Sequence, residues 1–402
     1  MLPDQWYPRR LDELGFVGRG KSRHRPRNDA RLYGGPYPFI QTADIMAADP
    51  YITTYSKTYS DFGIQQSKMW PANTLCITIA GANTAKTAIL RFDACFPDSV
   101  VGFIPDSNKS DIHFIKYSLD LMRHRFLAVS RGATQDNLSL DKLLSFPILV
   151  PKLDEQRRIA GILSAYDELI ENSQQRIKIL ETMARALYRE WFVHFRFPGH
   201  ESVPRVPSPL GDIPQGWEVR SVKEVATVTY GFPFASKKFN NDGNGTPVIR
   251  IRDIPEGLSA TFTEEAAEPK YHVKNGHILV GMDGDFHMCI WSSGHAFQNQ
   301  RVARFESNGE IGNLYLFLSL DKPIQEFNKA IVGTTVAHLG DMHIKKIQIV
   351  WPPAKLREKA RVILEPMSEQ IIGLKCQCQN LRRTRDLLLP RLLSGQIHVE
   401  TC

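Results

Sequence analysis

The second half of this chain repeats the first. At an offset of 201 residues, the distance from Gly132 to Gly333, Ala133-Thr134 falls on Thr334-Thr335, Leu138 on Leu339, Ile148 on Ile349, Pro151 on Pro352 and Ile162-Leu163 on Ile363-Leu364. The same register carries Ile170 onto Ile371, Leu180 onto Leu381 and Leu187 onto Leu388 without a gap, and it ends near Phe192 and Leu393. A match this long in one register marks a duplicated unit, so the fold must be one that the chain can build twice. Upstream the order survives with small insertions: Pro3 and Trp6 answer Pro214 and Trp217, and Pro38-Phe39-Ile40 with Asp44-Ile45 answers Pro247-Val248-Ile249 with Asp253-Ile254. Each half therefore has a divergent front and a similar back.

In the fronts, apolar or alternating runs bounded by Gly, Pro and Asn read as strands: TLCITIAG from Thr74, PVIRIRDI from Pro247 and HILVGM from His277. The backs have a different period. From Asp154, read as an N-cap, core-type residues recur at alternating spacings of four and three: Ile159, Leu163, Tyr166, Ile170, Ser173, Ile177, Leu180, Ala184, Leu187, Trp191. In the second half Leu374, Cys378, Leu381, Arg385, Leu388 and Leu392 fill the equivalent seam. Some forty residues of helix would make a rod of about 60 Å. Pro366 is expected to stop or kink the helix there, and Pro390 to disturb its last turns. Two long helices with one apolar stripe each most simply bury the stripes against each other; the alternative is that each packs only on its own front.

At 402 residues the chain suits two domains plus connecting elements, and 42% hydrophobic with 23% charged residues excludes both a disordered and a fibrous chain. No run of eighteen apolar residues and no signal-peptide pattern appear, so a cytoplasmic location is expected. The six cysteines, at 76, 95, 289, 376, 378 and 402, read as reduced thiols, since Cys376 and Cys378 form a lone C-x-C pair with no second pair to complete a zinc site.

A net charge of +7 suits a polyanionic partner. From Gly18 to Asn28 the chain reads GRGKSRHRPRN, with Arg19, Lys21, Arg23, Arg25 and Arg27 and no acid. Such a loop can follow a phosphate backbone and send guanidiniums to guanine edges; a merely solvated basic loop is the alternative. Lys237, Lys238, Arg250 and Arg252 are its weaker counterparts in the second half. The spacing from Gly15 to Gly20-Lys21-Ser22 mimics a phosphate-binding loop, but Arg9 to Leu14 is not an apolar strand and Pro26 interrupts the required helix. Catalytic signatures fail as well. Trp351-Pro352-Pro353 lacks the leading amide or acid of a base-methylating motif, there is no helicase motif or nuclease carboxylate cluster, and His287, His295, His338 and His343 have no partners that close a metal site.

Four stretches, YGGPYPFIQTADI from Tyr33, LDEQRRIAGILSAYDELIENSQQRIKILETMA from Leu153, GDIPQGWEV from Gly211 and LLLPRLLSGQI from Leu387, resemble the specificity subunit of type I restriction and modification systems, over essentially the whole chain. The resemblance implies an α+β protein: two pseudo-repeated mixed α/β target recognition domains, joined by two long helices packed as an antiparallel coiled coil. It implies double-stranded DNA as ligand, each domain reading one half of a split, asymmetric target. It implies two methyltransferase (modification) subunits as partners, with restriction/translocase subunits as further ones. It implies no catalytic residue, metal or cofactor on this chain, with S-adenosylmethionine, ATP and Mg held by partner subunits. By the same resemblance, loops around Thr134 and Thr335 lie where domain meets spacer helix, and Gln41, inside the first stretch, joins the candidate DNA contacts.

The expected plan is a first recognition domain at 1–151, a first spacer helix at 152–196, a linker at 197–212, a second recognition domain at 213–352 and a second spacer at 353–402. Ile159, Leu163, Tyr166, Ile170, Ile177, Leu180, Leu187, Leu374, Leu381, Leu388 and Leu392 are its expected coiled-coil contacts. The replacement of Asp154-Glu155-Gln156 by Lys355-Leu356-Arg357 suggests docking surfaces that differ. Competing readings are the specificity subunit of a modification-only or fused nuclease system and a stand-alone DNA-binding regulator.

Overall fold

A computed structural model describes residues 6–81, 84–130, 138–331 and 338–399. The chain divides into two compact units, Met1–Leu169 with Leu381–Cys402, and Ile170–Asn380. The division falls inside both long helices, so each unit owns a piece of each.

In the first unit the solidly apolar segments Leu75–Thr78 and Thr87–Leu90, buried at every position, are inner strands of a five-stranded sheet. Gly15–Arg19 and Val100–Pro105 flank them on one side and Tyr51–Ile52 on the other. A four-stranded sheet runs Lys57–Tyr59, Tyr33–Phe39, Ala94–Cys95, Met69–Trp70, with Phe39 and Cys95 in a parallel pairing. Tyr7–Arg9 pairs antiparallel with Ile148–Val150. The helix Ile112–Ser130 buries Phe114, Ile115, Tyr117 and Leu119 in the core.

The second unit rebuilds the scheme. Ala226–Tyr230, Val302–Ser307, Ile278–Gly281 and Met288–Ile290 form a four-stranded sheet, in which the first three repeat the antiparallel pairings of Gly15–Arg19, Val100–Pro105 and Leu75–Thr78. Val248 pairs in parallel with Phe297, as Phe39 does with Cys95. Glu218–Ser221 pairs with Gln348–Trp351, as Tyr7–Arg9 does with Ile148–Val150. The helix Asn313–Ile331 begins at the 201-residue offset from the start of Ile112–Ser130.

Two local details correct the sequence reading. PVIRIRDI is a strand only over Thr246–Ile249, after which Ile251–Asp253 forms a 3-10 turn capped by Asp253. The first long helix begins at Leu153, so Asp154 lies in its first turn, where a carboxylate still complements the helix dipole. That helix runs Leu153–Tyr188 and continues into a π-helical turn, Arg189–Val193. Beyond it, the Pro-rich segment pairs Arg205–Val206 with Ile213–Pro214, and Phe197 and Ile213 enter the core of the second unit.

The second long helix, Ala354–Leu393, runs through Pro366 and Pro390, so Pro366 does not stop it. A proline removes one intrahelical hydrogen bond, and the buried Leu364 and Ile371 on either side of Pro366 hold the helix against that loss. Pro390 sits between Leu388 and Leu389, which pack on the first unit's core, and the buried Leu392 and Leu393.

Within each unit the two long helices pair antiparallel. In the first, Ile159 and Leu163 share a core with Leu392 and Leu393, while Asp167, further along, meets Arg385. In the second, the thiol of Cys378 faces the carbonyl of Ile170 at 3.8 Å, and Lys375 pairs with Glu181 at 2.8 Å. As the number rises on one helix, it falls on the other. Of the proposed seam, Ile159, Leu163, Ile170, Leu374 and Leu392 are buried, and Tyr166, Ile177, Leu180, Leu187, Leu381 and Leu388 are half-buried. Each fully buried aliphatic side chain contributes about 1.5–3 kcal/mol.

Candidate nucleic-acid interface

The strand Gly15–Arg19 leads directly into the basic segment, so the glycine spacing that mimics a phosphate-binding loop belongs to a β-strand and an extended connection. A Cβ on Gly20 would meet the carbonyl of Pro97 at 2.3 Å, which draws the segment close along Phe96–Asp98. The N–H of Lys21 bonds to the Phe96 carbonyl and that of Arg23 to the Gln66 carbonyl.

The arginines of this segment are more constrained than the sequence suggests. Arg19 donates twice to the backbone carbonyl of Asp98, and Arg27 pairs with the Asp98 carboxylate at 2.7 Å. Arg25 reaches the same carboxylate at 3.9 Å and donates to the carbonyls of Ser22 and His24. Asp98 thus gathers three cations into one exposed cluster. Arg23 is exposed and has no ion-pair partner among the described residues. Next in the chain, Arg31 and His24 converge on Asp29, whose carboxyl they hold well below the usual carboxylate range, the hydrogen bond from Arg31 being the largest cause.

Gln41 borders the same segment, because the N–H of Ile40 bonds to the carbonyl of Cys95, just before Phe96. Its own N–H donates to Asp44 at 2.7 Å, capping the helix Thr42–Ala47. The second unit repeats the device: Arg250 follows the equivalent strand and donates its N–H to Asp253 at 2.8 Å. Gln41 and Arg250 therefore occupy equivalent positions, each with its backbone clamped by an aspartate three residues on.

Around Arg250 the structure gathers the other second-half candidates. Its guanidinium lies 5.7 Å from the ring centre of Phe239, the residue after Lys237 and Lys238, which form an exposed 3-10 turn with Ser236. Lys238 pairs with Glu265 at 3.3 Å, and Arg252 donates to the Thr261 hydroxyl at 3.0 Å. Thr134 and Thr335 lie outside the described residues.

Sequence reasoning missed the cations that lie on aromatic faces. Lys68 stands 4.0 Å from the ring centre of Trp70 and 4.5 Å from that of Phe16, a strand residue that is 52% exposed. Arg91 covers Tyr51 at 3.4 Å and Lys57 covers Tyr33 at 5.0 Å. The signal was present as basic residues interleaved with aromatics, but contacts such as Arg91 to Tyr51 join residues remote in sequence. Among the described residues no group of three His, Cys, Asp or Glu side chains could hold a metal ion, and no helix is long and apolar enough to cross a membrane.

The family model described as the type I restriction modification DNA specificity domain matches residues 3–182 and again 214–378. The chain is 24% identical to the type I restriction enzyme MjaIX specificity subunit of Methanocaldococcus jannaschii, over 99% of this chain and 95% of that one. It is 30% identical to the EcoBI specificity subunit of Escherichia coli, over 48% of this chain and 41% of that one. In fold it resembles the crystal structure of a type I restriction-modification S subunit from M. genitalium, with a TM-score of 0.64 at 18% identity, covering 99% of this chain and 98% of the other.

Proposed function

The chain belongs to the type I restriction modification DNA specificity family, and from that premise we propose that its two fronts read the two halves of a split, asymmetric DNA target. It is the DNA specificity subunit of a type I restriction-modification system and is itself non-catalytic. One observation carries the two-reader assignment: two units with matching strand pairings and matching aspartate clamps present different side chains at the clamped position, Gln41 in one and Arg250 in the other. Glutamine suits the paired donor and acceptor of adenine, arginine the two acceptors of guanine. A shared scaffold with exchanged contact residues is what an asymmetric target requires.

In this reading the Asp98-centred cluster and Arg23 hold phosphates of the first half-site, while Lys237, Lys238 and Arg252 do so at the second. Phosphate contacts supply affinity and salt dependence, and base edges supply sequence. Two methyltransferase subunits dock on the assembly, one per half-site, and each swings its adenine out of the duplex before methylation. S-adenosylmethionine, and ATP and Mg where restriction subunits join, are held by those partners. The paired long helices set the gap between half-sites, their 36 and 40 residues being about 54 and 60 Å long.

The test substitutes Arg23→Ala and Lys237→Ala separately in the complex reconstituted with its methyltransferase. Each variant should weaken binding while leaving the recognised sequence unchanged, and each should lower the slope of log affinity against log salt by about 1. Loss of methylation should fall on the first half-site for Arg23 and on the second for Lys237. Unchanged affinity and slope in both variants would remove these segments from the interface.

A further inference from the structure

Inside the first unit, three polar side chains meet that the apolar seam does not need. Asp167 is 3% exposed and Tyr117 2%. The Tyr117 hydroxyl donates to Oδ2 of Asp167 at 2.5 Å, and Arg385 donates to Oδ1, also at 2.5 Å. Arg385 additionally reaches Asp386 at 3.0 Å. The three belong to three helices: Tyr117 to Ile112–Ser130, Asp167 to the first long helix and Arg385 to the second. One buried carboxylate therefore ties the first front to both long helices at a single point.

The repeat shows that the fold does not require this cluster. At the 201-residue offset Tyr117 corresponds to Leu318, Asp167 to Ser368 and Arg385 to Ala184. Leu318 and Ala184 lie in the apolar core of the second unit, so the positions equivalent to Tyr117 and Arg385 carry no polar group there. A buried ion pair is seldom the most stable filling of such a space; its best-attested use is to specify one register among several. An apolar heptad seam repacks with similar contacts when one helix slips by a turn, whereas a slip here would leave the buried carboxylate of Asp167 without its cation.

Taking the two-reader assignment as given, we propose that Tyr117, Asp167 and Arg385 are positioning residues that pin the first reader and the helix pair in one register. They thereby restrict the complex to one gap between half-sites. They touch no base. Their effect is on where the first reader is held, and the equivalent positions of the second unit, Leu318, Ser368 and Ala184, carry no such cluster.

The experiment uses the complete complex with its methyltransferase and a set of DNA targets whose gaps differ by single base pairs. Asp167→Leu with Arg385→Leu replaces the pair by apolar groups, and Tyr117→Phe frees the first front while keeping the pair. The double variant is expected to fold, to methylate the same base in each half-site, and to raise methylation of targets one or two base pairs off the natural gap by about tenfold relative to wild type. Tyr117→Phe is expected to relax the gap in the same direction by a smaller factor, and Ser368→Ala, at the equivalent site of the second unit, to leave it strict. A folded double variant as strict as wild type overturns the pin. Should the double variant not fold, a Tyr117→Phe complex with unchanged strictness overturns it equally. If wild type itself methylates no split target, the functional reading falls, and that arm separates the two failures.

Discussion

Gln156 shows how one residue shapes a junction. It is 1% exposed, accepts a hydrogen bond from the Asp111 N–H at 3.1 Å, and donates to the carbonyls of Lys109 and Pro151 at 3.1 and 3.0 Å. In the repeat its place is taken by Arg357, which donates to the Pro352 carbonyl at 2.8 Å and pairs with Glu310 at 2.6 Å. A substitution that looks drastic in sequence therefore keeps the contact to the proline carbonyl and exchanges the Lys109 carbonyl for the carboxylate of Glu310, which holds the place of Lys109. Gln156→Ala strands the buried Pro151 carbonyl and leaves the part-buried Asp111 N–H and Lys109 carbonyl without this partner, and it should destabilise the chain by about 2 kcal/mol, read as a lower melting temperature. At the same scale, burial lowers the pKa of His113, and of His277 and His295 likewise, burial being the largest cause in each. A histidine depressed in the fold binds its proton more readily when unfolded. Its contribution is complete above the ordinary value of 6.5 and is lost as pH falls through that value towards the folded one. Melting temperature should therefore drop between neutral pH and pH ~5, and His113→Gln should make the drop shallower. An equal drop in that variant would exclude His113 as a contributor.

The elements themselves were largely legible. The fourfold and threefold spacing from Ile159 to Leu187 marked a helix, and the buried runs LCIT and ILVG marked inner strands, because burial on one stripe or both faces leaves a periodic trace. What misled was local chemistry read without its tertiary context. Pro366 reads as a stop or a kink, and the helix passes through it without a stop, since local propensity is outweighed where the flanking turns are packed. Pro366→Ala restores one backbone donor at an exposed position without altering the packed face. It should raise stability by up to about 3 kcal/mol, measurable by denaturant titration. The interface was the least legible part. Arg25 and Arg27 read as free cations because their shared partner, Asp98, lies some seventy positions along the chain. The equivalence of Gln41 and Arg250 follows from the alignment of Ile40, Asp44 and Ile45 with Ile249, Asp253 and Ile254, but the clamp of each backbone N–H by that aspartate is visible only in the fold.

For the molecule as a whole, duplication is the organising fact. Matching strand pairings and a helix in the matching place of each unit describe one plan executed twice, with different side chains at Gln41 and Arg250 and at the cluster of Tyr117, Asp167 and Arg385. In the proposed function such a protein needs no catalytic group of its own, because its output would be the placement of other subunits on DNA. The central claim is that the two fronts act as separate readers. It is tested most directly by reconstituting the chain with its methyltransferase subunit, incubating with genomic DNA and S-adenosylmethionine, and mapping every methylated adenine by single-molecule sequencing. One split motif is expected, with two different half-sequences, one methylated adenine in each and a constant gap between them. A single uninterrupted motif, or methylation without sequence preference, would contradict it.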